Sequence, residues 1–109
     1  MRRVKILGLV DSGATRLVLP QDTVKKLGLP STGQVKVTYA IGSSAKRSRV
    51  ENVYLELLGR HGVFTATVEP KRDTALIGAI VMEDLDFIVD CSTGKLHPRD
   101  PNYVITEIE

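Results

Sequence analysis

Residues 8–20 read GLVDSGATRLVLP. An apolar run leads up to one carboxylate, Asp11, which is followed at once by Ser12, Gly13 and Ala14; the chain then turns apolar again at Leu17, Val18 and Leu19. The Val-, Ile- and Leu-rich segment from Val4 to Val10 predicts a buried strand, and Leu17 to Leu19 a short second one. A carboxylate at the end of a buried strand is costly unless it is hydrogen-bonded or shares a proton. Asp-Ser-Gly offers a local solution. Gly13 has no Cβ, so its backbone can approach the carboxylate and donate an N–H. The Ser12 hydroxyl can support the neighbouring turn. Taken alone, the tripeptide also fits an ordinary Asx-turn after a strand.

Working outward, Pro20 suits a helix start and Gly28 a helix stop, with Pro30 just beyond. Val24 and Leu27 fall on one face of that short helix. The following chain alternates. Val35, Val37 and Tyr39 predict a strand, AIGSSAKRS a turn centred on Gly42, and Val53, Leu55 and Leu57 a further strand. GRHG, Gly59 to Gly62, reads as a turn into a strand carrying Phe64, Ala66 and Val68. Leu76-Ile77 looks like the end of a buried strand, Gly78 to Leu85 a short helix and Phe87 to Val89 a strand. DCSTGK reads as a turn, HPRDP as a break and Val104 to Ile108 as a last strand. The expected fold is mainly β, a small closed antiparallel barrel with one or two short helices.

The 109 residues suit a single domain spanning 1–109. A formal net charge of +2 is too small to imply nucleic acid by itself. With one cysteine, Cys91, no intrachain disulfide can form. The apolar run between Lys5 and Asp11 is too short for a signal-peptide core, and no window approaches a membrane span. A soluble, cytoplasmic protein is expected, with no nucleic-acid or membrane partner.

The pattern LVDSGATRLVLP…LGL resembles the active-site region of retropepsin-like aspartic proteases, the retroviral proteases and their cellular and bacterial relatives. ALIGAIVMEDLDFIVD is similar to that family's hydrophobic-hydrophobic-Gly segment and short helix, and TYAIGSSAKR falls where the family has its flap hairpin. The three matches come in the family order and cover most of the chain.

The resemblance implies an endopeptidase that hydrolyses peptide bonds with two aspartates around one water, and no cofactor or metal. Asp11 would be the catalytic acid, Ser12 would brace the dyad, and Gly13 would bring its N–H to the carboxylate. Ala14 would leave room for substrate backbone. Ile41 and Gly42 would form the flap tip. Leu76 would line a pocket with Val18 and Ile41, and Ile77-Gly78 would pack behind the active-site loop. The sequence holds one Asp-Ser-Gly, so the second aspartate must come from a second copy in a two-fold homodimer. A peptide-binding dimer without useful turnover is the alternative.

Two departures stand out. Retroviral members usually carry an acidic residue after the Ala and an Arg after the later Gly; these positions are Thr15 and Ala79, so that interface ion pair is absent. The family's strand before the Asp-bearing strand is expected to be short or missing, which leaves a barrel edge unpaired. Tyr103 to Ile108 could supply dimer strands.

Other signals weigh less. Ser43 to Lys46 fits S-x-x-K, but without its companion motifs and on a predicted hairpin. Ser92 to Lys95 lacks the upstream glycine of a phosphate loop. Asp84, Asp86 and Asp90 do not keep calcium-loop spacing and read as solvated helix and turn positions. His61, His97 and Cys91 make no zinc pattern. Ala45 to Arg49, with Lys36, reads as a solvated flap strand rather than a nucleic-acid surface, since few aromatics lie nearby for stacking.

Overall fold

A computed structural model describes residues 2–11, 13–90 and 95–99. The expected turn at Cys91 to Gly94 and the expected last strand, Val104 to Ile108, lie outside the described residues.

The described residues make ten elements in the order β1 (Gly8–Val10), β2 (Leu17–Pro20), α1 (Gln21–Leu27), β3 (Gly33–Thr38), β4 (Ser44–Leu57), β5 (Arg60–Glu69), β6 (Ala75–Ile77), α2 (Ala79–Asp84), β7 (Phe87–Asp90) and β8 (Lys95–Pro98). Six strands form one sheet in the order β1-β6-β2-β5-β4-β3, while β7 and β8 pair separately. The mainly β class holds, but the sheet does not close into a barrel. Nor is it purely antiparallel, because β1 pairs with β6, and β2 with β5, in parallel. Alternating hydrophobicity marks strands; it carries no information on which distant strands meet, or in which direction.

Local chemistry sets the element ends. Pro20 is the N-cap of α1, and Gly28 ends it in the left-handed conformation, φ 71°, with its N–H bonded to Lys25 O. The β4–β5 hairpin turns through Leu58 and Gly59, both at positive φ (51° and 82°). This two-residue turn has the primed geometry that matches strand twist. The expected turn at Gly59–Gly62 is therefore shorter, and Arg60, His61 and Gly62 belong to β5. His97 and Pro98 likewise lie in β8 and not in a break.

The core collects on one face of the sheet. Leu17 and Leu19 on β2 stand opposite Ala66 and Val68 on β5, and Val50 on β4 stands opposite Ala66. With Val24 of α1, Val81 and Met82 of α2, Leu85 and Phe87, these side chains are buried. The Val4–Val10 segment is not a buried strand. Its contact with β6 begins only where Leu7 O accepts from Ala75 N–H, and Leu7, Leu9 and Val10 are exposed (69, 48 and 37%) because β1 is the edge of the described sheet. Ile6 alone of that run packs partly against the core.

A buried cation that hydropathy does not reveal locks α2. Arg60 is 7% exposed, and its Nη1 donates to the carbonyls of Leu85 (2.8 Å) and Asp86 (3.0 Å). Its guanidinium lies 5.2 Å from the centre of the Phe87 ring. The carbonyls at the end of α2 thus find the donor that no further helical turn supplies. Asp86 is not a freely solvated turn residue: it holds φ 61° and pairs with Arg99.

Candidate active site

Asp11 lies one residue past β1, with its side chain exposed. Its position is set by main chain. The Asp11 N–H donates to Ile77 O (3.1 Å), extending the β1–β6 ladder by one step, and the Ala14 N–H closes a turn onto Asp11 O (3.0 Å). The Gly13 N–H donates to Asp11 Oδ1 at 2.9 Å. That bond fixes the orientation of the carboxylate within its loop. Among the described residues it is the carboxylate's hydrogen-bond partner, and no second carboxyl is bonded to it. Ser12 lies outside the described residues.

The start of α2 holds the far side of the loop. The N–H groups of Ala79 and Ile80 donate to the carbonyls of Ala14 (2.8 Å) and Thr15 (2.9 Å). Ile77-Gly78 therefore does pack behind the loop, as expected, and Gly78 explains how. A Cβ there would sit 2.7 Å from Ala14 O and 2.9 Å from Arg16 N, and closer still to Arg16 O. The two backbones approach so closely that no side chain fits between them.

The remaining expected positions divide. Val18 and Leu76 stand directly opposite each other across β2 and β6, both half-buried. Val18 also faces Thr67, and Thr67 faces Arg49. Leu9 faces Leu76. Opposed residues share a face, so Leu9, Leu76, Val18, Thr67 and Arg49 form one row across the sheet. Strand alternation puts Asp11, two residues after Leu9, on that same side. Ala14 is half-buried in the loop.

Ile41 and Gly42 do sit at the tip of the β3–β4 hairpin, where Gly42 takes φ 91° and its N–H bonds Tyr39 O (2.9 Å). Ile41, however, is 88% exposed, so among the described residues it does not join Val18 and Leu76 in a pocket. The tip stands clear of the body because, among the described residues, β3 is the sheet's other edge and pairs with β4 alone.

Arg47 and Arg49 are half-buried and bonded, Arg47 to Glu69 (2.9 Å) and Arg49 to Thr32 O (3.2 Å), so this part of the hairpin is not simply solvated. The Ser43–Lys46 pattern falls on a tip turn and strand, without the helix its chemistry needs. Among the described residues no cluster of three or more His, Cys, Asp or Glu could hold a metal ion, and no helix is long and apolar enough to cross a membrane.

Sequence reasoning missed Glu69, Tyr39 and Arg47 as a group. The Tyr39 O–H donates to Glu69 Oε2 (2.6 Å), and Arg47 Nε reaches both Glu69 Oε1 (2.9 Å) and the Tyr39 hydroxyl (3.1 Å). The bond to Glu69, with lesser help from desolvation, raises the Tyr39 pKa above its ordinary value of 10.0. No spacing rule connects residues 39, 47 and 69; strand register brings them together.

No curated protein matches the chain at a significant level. A family model described as aspartyl protease matches residues 3–81, a span that begins before β1 and runs through the first half of α2. It contains the Asp11 loop, the hairpin and the Gly78 contact behind the loop. The chain belongs to this aspartyl protease family, of the retropepsin-like clan.

Proposed function

We propose that the chain is an aspartic endopeptidase whose active form is a two-fold homodimer, residues 1–109 acting as one domain without a cofactor. One observation carries the reading: a solvent-facing carboxylate, Asp11, is hydrogen-bonded by the Gly13 N–H of its own loop, which α2 braces, yet has no second carboxyl bonded to it among the described residues. Peptide hydrolysis by water needs a base and an acid at one place. A symmetry copy of Asp11 supplies the missing one. The exposed apolar side chains of Leu7, Leu9, Val10 and Ile80 beside the loop suit burial against a second copy.

In such a pair the two carboxyls share one proton, since both cannot ionise at close range. The ionised member takes a proton from the water as its oxygen attacks the scissile carbonyl carbon. The protonated member gives its proton to the carbonyl oxygen, so a neutral tetrahedral diol forms. Collapse of the diol breaks the C–N bond as a proton moves to the leaving nitrogen. Ser12 braces the pair and Gly13 N–H holds each carboxylate. Ala14 leaves room for the substrate backbone. Ile41 and Gly42 close over the substrate when it binds, bringing Ile41 to Val18 and Leu76 around an apolar side chain. The lone cysteine suits a reducing, cytoplasmic setting.

The test is cleavage of a diverse unstructured peptide mixture from roughly pH 3 to pH 7, the range in which a shared-proton aspartate pair works. Asp11→Asn runs beside the wild type, with the dimer content of both measured by sedimentation. Cuts next to apolar residues that disappear in the variant are expected. Absence of cutting by a demonstrably dimeric wild type would refute the reading and favour a peptide-binding dimer.

A further inference from the structure

From Ser44 to Ser48, β4 pairs among the described residues with β3 alone; its ladder to β5 begins at Arg49. The hairpin therefore leaves the body as a two-stranded ribbon, a form that is marginal in water without support. Arg49 faces Thr67, so alternation puts Arg47, two residues nearer the tip, and Glu69, two residues further along β5, on the same side of the sheet. Tyr39 closes the tip turn, its N–H on Ser43 O (2.8 Å) and its carbonyl accepting from Gly42. Tyr39 and Arg47 thus come from the two arms of the ribbon, and Glu69 from the body.

We infer that Glu69 is a positioning residue: by holding Tyr39 and Arg47 on its two carboxylate oxygens, it latches the hairpin to the sheet and so sets the position of its tip. This rests on the peptidase reading above. Oε2 takes the Tyr39 hydroxyl at 2.6 Å and Oε1 takes Arg47 Nε at 2.9 Å. The guanidinium carbon lies 6.0 Å from the Tyr39 ring centre, which closes a three-membered contact. The Arg47 and Glu69 side chains keep 27 and 15% of their exposure, so water screens the pair less than it would a free surface pair.

The other side-chain ties of the hairpin among the described residues lie at its root, where Arg49 bonds Thr32, or within it, as Thr38 bonds Ser44. Neither reaches from the tip half to the body. The Glu69 latch does. It also lies in the row of β5 positions next to Thr67, on the side of the sheet that carries Val18 and Leu76. A tip freed from it would still fold as a hairpin, but would sample a wider arc and meet substrate less often in the closed position.

The experiment uses the full chain, Glu69→Gln and Tyr39→Phe. Amide hydrogen exchange is read peptide by peptide, and steady-state cleavage is measured on the peptide the wild type cuts best. Both variants are expected to speed exchange in residues 39–48 by about tenfold, the factor that loss of one charge-assisted hydrogen bond produces. Exchange in β2 and β5 should not change. KM should rise several-fold with a smaller change in kcat, and the double variant should be little worse than Glu69→Gln. Unchanged hairpin exchange, or acceleration spread evenly over the chain, would overturn the latch. Faster hairpin exchange with unaltered KM would overturn its positioning role. A wild type that cuts nothing fails the peptidase reading and the positioning role together, while the exchange result still decides the latch as a mechanical contact.

Discussion

Replacing Gly78 with alanine tests how the Asp11 loop is held. The new methyl would lie 2.7 Å from Ala14 O and 2.9 Å from Arg16 N, with Arg16 O nearer still. All three are main-chain atoms inside the clamp, and none can rotate away as a flexible side chain would. Relief requires the β6–α2 junction and the loop to separate by several tenths of an ångström. That separation stretches the bonds from Ala79 N to Ala14 O (2.8 Å) and from Ile80 N to Thr15 O (2.9 Å). Overpacking of this kind costs about 1–3 kcal/mol. Each weakened backbone bond adds roughly 0.5–1.5 kcal/mol. The sum, about 2–6 kcal/mol, is a large part of the roughly 5–15 kcal/mol that holds a typical domain together. Urea unfolding followed by far-UV circular dichroism measures it. Gly42→Ala is the control, since a Cβ there meets nothing within 4 Å and is disfavoured only by φ 91°. It should cost about 1 kcal/mol. If Gly78→Ala proves no more destabilising than Gly42→Ala, the close contact does not shape the loop and the reasoning fails.

Arg60→Met keeps much of the buried stem but removes the donors to Leu85 O and Asp86 O. Leu85 O loses a buried donor, while Asp86 O still accepts from the Arg99 N–H (2.8 Å), so a loss of about 1–3 kcal/mol is expected in the same unfolding assay, with little change if the arginine is dispensable. Tyr39 gives a pH signature. Its folded pKa is raised above 10.0, chiefly by donating to Glu69, so the folded chain keeps this proton where the unfolded chain begins to lose it. The stability this contributes is complete below the unfolded pKa and is lost as pH rises through the folded value. The urea midpoint of the wild type should therefore fall more steeply above about pH 10 than that of Tyr39→Phe; parallel curves would contradict the assignment.

Much of the local architecture is legible residue by residue. Pro20 and Gly28 bracket α1 because one fixes φ and the other admits the left-handed turn that ends it. Gly13 announces its bond to Asp11 through what it lacks. What could not be read depends on distant partners. The exposure of Val10 follows from β1 being an edge, which its own apolar composition argues against. Leu58, a branched residue at φ 51°, starts the β4–β5 turn one residue before the Gly59–Gly62 stretch that suggested it, and β5 begins already at Arg60. Arg60 is buried because α2 ends against it, and that becomes visible only when residues 60 and 85 are placed side by side. The candidate site divides in the same way: Asp11, Gly13 and Gly78 are written in short motifs, whereas Glu69 belongs to it only through the register of β4 and β5.

The support around Asp11 is built from peptide groups: Ile77 O, Ala14 O, Thr15 O and the N–H groups of Asp11, Ala14, Ala79 and Ile80. Any amino acid supplies such carbonyls, and any but proline such N–H groups. Side chains at Thr15 and Ala79 can therefore be exchanged, charges included, without redrawing the loop, provided that position 78 stays bare. The scaffold separates two kinds of heredity. One glycine guards the shape around the carboxylate, while the neighbouring surface, where a second copy would settle, is left free to diverge.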